Sequence, residues 1–115
     1  MRAALRKTQP GPETPVLRNG YLAVDTLSHV VTSNGVEVKL TATEFEMLVL
    51  FMKNAGRVLT HRHVMKEIWG PYRTDETHYV RIYMGQLRKK LEISPDLPKL
   101  FVTEPGVGYR MVLAP

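Results

Sequence analysis

Apolar positions along the chain change period twice, and the changes divide it into three parts. Tyr21–Asp25, Ser28–Ser33 and Val36–Leu40 are short β-branched runs separated by Thr26-Leu27 and by Asn34-Gly35. Both residues of an Asn-Gly pair tolerate positive φ, so this stretch predicts a tight hairpin within a small antiparallel meander. From Thr41 the spacing becomes three and four. Thr41-Ala-Thr-Glu44 reads as a capping box, followed by Phe45, Leu48, Val49 and Met52 on one helical face. Asn54-Ala-Gly56 stops that helix. Thr60 is the N-cap of a shorter second helix with Val64, Met65 and Ile68 inward, and Gly70-Pro71 closes it. Pro71–Thr74 then bridges to a third helix over Thr77–Glu92, with Asp75 and Glu76 before it and Arg88, Lys89 and Lys90 at its end, as the helix dipole favours. Alternation returns in Leu100–Thr103 and Tyr109–Leu113, around a Glu104-Pro-Gly-Val-Gly108 hairpin whose glycines permit tight turning.

The predicted fold class is α+β: an N-terminal antiparallel sheet, three helices and a C-terminal β-hairpin. Residues 1–18, with Pro10, Pro12 and Pro15 among polar neighbours, read as a linker or tail. Residues 19–115 are expected to form the domain.

The third helix has two unlike faces. At about 100° per residue, Val80, Met84, Leu87 and Leu91 fall together as a stripe that must pack on a core. The opposite face carries His78, Ile82, Gly85, Gln86 and Lys89, flanked by Tyr79, Arg81, Arg88 and Lys90. A solvated face ordinarily holds Glu, Lys and Gln. An aliphatic group, a glycine, an amide and cations together suit a surface pressed against a polyanion.

Composition narrows the alternatives. The chain has 115 residues, enough for one domain with a modest core, and no cysteine, which excludes disulfides and Cys-based zinc sites. No apolar run approaches the roughly 20 residues that span a membrane, and the N-terminus lacks an apolar core of signal-peptide length. A cytoplasmic protein without membrane contact is expected. Net charge is +5, and its placement matters more than its size. Residues 57–92 hold eight Lys or Arg against four Asp or Glu, and residues 1–18 hold four against one. Excess charge in one tail and one helical segment fits nucleic-acid or anionic-membrane contact, and a basic solubilising surface is the plainer alternative.

Three helices followed by a β-hairpin are the winged-helix arrangement, whose third helix enters the major groove. The chain resembles the OmpR/PhoB-type output domains of bacterial two-component response regulators. The resemblance is carried by Leu40-Thr-Ala-Thr-Glu-Phe-Glu-Met-Leu48, Val58-Leu-Thr60, Ile68-Trp-Gly70, Val80-Arg-Ile-Tyr-Met-Gly-Gln-Leu-Arg-Lys-Lys-Leu91 and Gly106-Val-Gly-Tyr-Arg110. These strings occur in family order and cover about residues 20–113. The helix His78–Arg88 looks most like the potassium-responsive branch of the family.

The resemblance implies sequence-specific binding of double-stranded promoter DNA by two copies on tandem half-sites. It also implies a receiver domain, addressed by a sensor kinase, ahead of this output domain; the short tail cannot hold one. By match to the family, His78, Tyr79, Ile82 and Gln86 stand nearest the bases, while Arg81, Tyr83, Arg88 and Lys89 meet phosphates. His61, Trp69, Thr103 and Tyr109 match further positions on the DNA backbone. Many relatives carry a wing arginine for the minor groove where this chain has Pro105. Gln86 offers donor and acceptor together, as adenine requires, and Ile82 suits a thymine methyl. Gly85 in mid-helix costs roughly 1 kcal/mol against Ala, which a close approach of DNA would explain.

Plainer readings stand beside these. Arg88–Lys90 also suits a solvated helix end, Trp69 and Tyr83 suit core or rim packing, and Tyr109 suits a brace for the hairpin. The alternative function is a protein-interaction module contacting RNA polymerase through the loop at Gly70–Thr74, with Tyr72 and Arg73 as its handles. RNA fits less well, because its deep, narrow major groove does not admit a helix. His61 and His63 diverge on a helix and lack a third ligand, so no metal is expected. No nucleophile–base pair stands out, with Ser28, Ser33 and Ser94 in strand or turn contexts, so neither enzymatic activity nor a cofactor is expected.

Overall fold

The computed structural model describes residues 16–71 and 77–113. Four short strands come first: β1 (Val16–Asn19), β2 (Leu22–Asp25), β3 (Val30–Ser33) and β4 (Val36–Val38), paired antiparallel in chain order. Helices α1 (Ala42–Lys53), α2 (His61–Trp69) and α3 (His78–Leu91) follow, with β5 (Val58–Thr60) between the first two. The chain then returns as β6 (Phe101–Glu104) and β7 (Gly108–Met111), and β5 joins them in a second sheet ordered β5-β7-β6.

Two differences from the sequence pattern have clear causes. Val16–Arg18, expected in the tail, pair with Asp25, Val24 and Ala23 as the edge of the first sheet. Proximity to three prolines hid a strand in which only Val16 is a strong β-former. The winged hairpin is likewise three-stranded, because Val58–Thr60 pairs with β7. Three residues running directly into a helix cap are too short for alternation to register. The expected Pro71–Thr74 bridge and its Tyr72 and Arg73, like Asp75 and Glu76, lie mostly outside the described residues. So do residues 1–15 of the expected tail.

The turns follow the residues. Asn34 and Gly35 both take positive φ (53° and 82°), as the β3–β4 hairpin demands. The Asp25 carboxylate accepts from the backbone N–H of Leu27 and Ser28 at 2.9 and 3.2 Å, closing the β2–β3 turn. In that turn His29 lies at φ 59° and stacks on Phe45 with ring centroids 4.2 Å apart.

One core joins the two sheets and three helices, with Leu22, Val24, Val31, Met47, Leu48, Phe51, Met65, Phe101 and Met111 essentially sealed from solvent. α1 lies in its middle. Its buried side is therefore wider than the expected stripe: Met47 and Phe51 are sealed, whereas Val49 is only half-buried. The capping box is present, with Thr41 Oγ1 accepting from Glu44 N at 3.2 Å and Glu44 Oε1 accepting from Thr41 N at 2.9 Å. Among the described residues no helix is long and apolar enough to cross a membrane.

Glu44 does more than cap. Its Oε1 also accepts from Lys90 Nζ at 2.7 Å, tying the start of α1 to the end of α3. The residue is 3% exposed. Burial opposes its ionisation, but the Lys90 hydrogen bond, the Thr41 N–H and the Lys90 charge together outweigh it and hold its pKa below the ordinary value of 4.5. A depressed folded-state pKa contributes stability that is present above the unfolded value and lost as pH falls through the folded one. Lys90→Met should therefore destabilise the domain at pH 7 by about 1–3 kcal/mol in urea unfolding, because it strands a buried carboxylate. The loss relative to wild type should shrink below pH 4.5; a difference independent of pH would contradict the pairing.

Candidate nucleic-acid interface

α3 positions the site, and its inward stripe is as expected: Val80, Met84, Leu87 and Leu91 are all buried. Its C-terminal end is tied in three ways. Ser33 Oγ donates to the Leu91 carbonyl at 2.6 Å, from β3. Glu92 Oε2 accepts from the backbone N–H of Leu100 and Phe101 at 2.8 and 3.2 Å, holding the entry to β6. Lys90 reaches Glu44, as above. None of these partners was legible locally, because each lies eight or more residues away and no periodicity relates them.

The outward face follows from the stripe. His78, Arg81, Ile82, Gly85, Gln86 and Lys89 are all exposed, and Ile82 shows 53% of its surface. An isoleucine so exposed on a stable helix contributes nothing to the core. Gly85 is equally telling. Among the described residues, and outside the helix's own backbone, no atom lies within 4 Å of where its Cβ would stand, so packing gives no reason for a glycine.

Tyr79 and Tyr83 are half-buried and pack with Trp69 of α2, ring centroids 6.0 and 5.4 Å away. This aromatic group locks α2 against α3 along one edge of the face. His78 leans on Tyr79 at 4.4 Å. At the start of α2, Thr60 accepts from His63 N at 3.0 Å and His61 is half-exposed beside the wing.

The remaining expected backbone contacts are placed differently. Tyr109 is 4% exposed, a core residue of β7. Arg88 is turned toward the wing, its Nη2 donating to Thr103 Oγ1 at 2.9 Å and to the Phe101 carbonyl at 3.5 Å. Its guanidinium also lies over the Tyr109 ring at 5.5 Å. Thr103 is exposed but its hydroxyl already serves Arg88. At the wing tip Pro105, Gly106 and Val107 are exposed, and Arg110 is held at the base by Glu104 at 3.2 Å.

A helix bearing a polar, cationic and aliphatic outer face, beside a β-hairpin and a capped helix start, defines a winged-helix DNA-binding domain. A family profile described as "Transcriptional regulatory protein, C terminal" matches residues 35–111. The chain belongs to that family: it is a winged-helix output domain of the OmpR/PhoB response-regulator type, which binds DNA to regulate transcription. Among curated relatives, the KDP operon transcriptional regulatory protein KdpE of Escherichia coli (strain K12) is 42% identical over 115 residues, covering 98% of this chain and 51% of that protein. KdpE of Mycobacterium tuberculosis (strain ATCC 25618 / H37Rv) is 42% identical over 112 residues, covering 96% and 50%. The chain thus spans about half the length of the curated relatives it matches. Among solved structures, the DNA-binding domain of CpxR from E. coli superimposes with a TM-score of 0.76 at 30% identity, covering 89% of this chain and all of that one. The Klebsiella pneumoniae RstA DNA-binding domain, solved in complex with the RstA box, shares the fold at TM-score 0.76 and 24% identity, covering 86% of this chain and 98% of that one.

The open space at Gly85 generates a test that involves no partner. Gly85→Ala should raise the stability of the free domain by about 0.5–1 kcal/mol, since it removes backbone freedom from the unfolded chain and meets no clash. A lower midpoint in thermal or urea unfolding would mean that the glycine serves the fold instead.

Proposed function

We propose that α3 lies in the major groove of a promoter half-site, with His78, Tyr79, Ile82 and Gln86 over base edges and Arg81 and Lys89 on the flanking phosphates. The observation that carries this reading is the exposed Ile82-Gly85-Gln86 surface diametrically across from the buried stripe. Gln86 supplies a paired donor and acceptor for adenine, Ile82 an apolar contact for a thymine methyl, and Gly85 room for close approach. The start of α2 at His61, and Trp69 and Tyr83 at the rim, add backbone contacts. Because the wing tip carries no cation among its described residues, specificity on this reading rests on α3.

The wider setting belongs to the same proposal. Two copies occupy tandem half-sites, a receiver domain in the other half of the full-length protein answers to a sensor kinase, and the protein is cytoplasmic. Similarity to KdpE over nearly the whole chain supports a role in potassium-transport genes. RNA polymerase is the second partner, met through the segment around Tyr72 and Arg73. A Tyr72→Ala variant that binds DNA normally yet fails to activate transcription would support that contact, and unchanged activation would remove it.

Selection of bound sequences from a random duplex pool, at stated salt, tests the reading. Tandem half-sites should be recovered. Gln86→Ala should then relax preference at one base pair by about 1–3 kcal/mol. Lys89→Ala should weaken all sequences alike and lower the salt slope by about one. An unaltered base preference in Gln86→Ala would reassign that residue.

A further inference from the structure

Tyr109 occupies the centre of the second sheet, opposite Leu59 of β5 on one side and Thr103 of β6 on the other. Its ring meets two residues from outside that sheet. The Arg88 guanidinium of α3 lies 5.5 Å from its centroid, and His61, the first residue of α2, makes an edge contact at 5.3 Å. Arg88 in turn donates to Thr103 and to the Phe101 carbonyl, both on β6. One buried ring therefore joins the recognition helix, the wing and the start of α2.

We propose that Arg88 and Tyr109 are positioning residues that set the angle of the wing relative to α3 and so place the wing's backbone against DNA; the proposal rests on the reading that α3 enters the major groove. The chemistry fits Arg88 and not a lysine. A planar guanidinium lays its face on a ring while its fixed in-plane fork donates to acceptors at the side, whereas an ammonium is a compact point charge with neither a face to stack nor a fixed fork. Tyr109 is too deeply buried to present its ring to a duplex. Neighbouring Lys89 is exposed, so the phosphate role has a candidate one residue away.

The wing tip gives the joint its importance. A long arginine at a hairpin tip can swing to meet a groove that is an ångström or two away. Pro105, Gly106 and Val107 cannot, so any wing contact must come from backbone N–H groups and short side chains whose position is that of the hairpin itself. An error in the wing angle passes undiminished to the contact.

Four variants separate positioning from phosphate contact: Arg88→Met, Arg88→Lys, Thr103→Val and the double variant Arg88→Met/Thr103→Val. Affinity for the selected duplex is measured across a salt series, and amide hydrogen exchange is measured in the free proteins. Positioning predicts that Arg88→Lys fails to rescue, both Arg88 variants binding about tenfold more weakly than wild type. The double variant should be no weaker than Arg88→Met, because both changes break one joint. In free Arg88→Met and Arg88→Lys, wing amides from Thr103 to Tyr109 should exchange several-fold faster while those of Val80 to Leu87 keep their protection. Phosphate-ethylation interference should be lost on the wing side and the base preference of α3 retained. Wild-type affinity in Arg88→Lys would overturn the proposal, as would additive losses in the double variant or unchanged wing exchange. A wild-type domain without duplex preference would instead sink the major-groove reading, while the exchange measurement still reports on the joint.

Discussion

Burial of Val80, Met84, Leu87 and Leu91 in one stripe fixes the rotation of α3 about its axis, and with it the direction of every outward residue on that helix. A slip of one residue turns the helix by about 100°. It would carry Arg81, Gly85, Arg88 and Glu92 into the core positions, exchanging four apolar side chains for three charges and a glycine. Each apolar side chain lost from the interior costs about 1.5–3 kcal/mol, and each buried unpaired charge costs more. The rotation therefore has one stable value. Ser33, Glu44 and the Glu92 carboxylate hold the far end of α3 against the first sheet, α1 and the β6 entry respectively.

The second sheet is built on an equally firm restriction. A Cβ on Gly108 would overlap the Leu59 carbonyl oxygen, so β5 and β7 can approach as they do only with glycine there. That approach sets Tyr109 beside Leu59 and brings the Thr60 cap, and hence the start of α2, next to the wing. α2 and α3 are joined at the other end by Trp69 between Tyr79 and Tyr83. The outward face of α3 is thus framed by aromatic packing on one side and by the Arg88–Tyr109 contact on another. A rigid frame around a polar face is what a surface must have if it is to discriminate among base sequences and not merely attract phosphate.

Much of this was legible in the sequence, for reasons that differ by element. The α3 stripe, the Thr41–Glu44 capping box, the Thr60 cap and the Asn34-Gly35 turn all rest on spacings of four residues or fewer, and each is present. β1 and β5 were not legible, because prolines just upstream masked the first and the second runs straight into the Thr60 helix cap. The same limit governed the site. Exposure of His78, Ile82 and Gln86 follows from helix geometry alone. The turning of Arg88 toward Thr103, fifteen residues on, and the pairing of Lys90 with Glu44 do not. A cation at a helix end reads alike whether it meets solvent, phosphate or a neighbouring strand.

The central claim is that the face of α3 across from its buried stripe is where DNA sits. An NMR titration of the isotope-labelled domain with a cognate duplex tests it most directly. Amide and side-chain signals of Ile82, Gly85, Gln86 and Lys89 should shift most, with smaller changes at His61 and across Pro105–Val107. Those of Ala23, Thr32 and Glu37, which lie side by side across the first sheet, should stay in place. Perturbation centred on that sheet, with the outer face of α3 unmoved, would contradict the account.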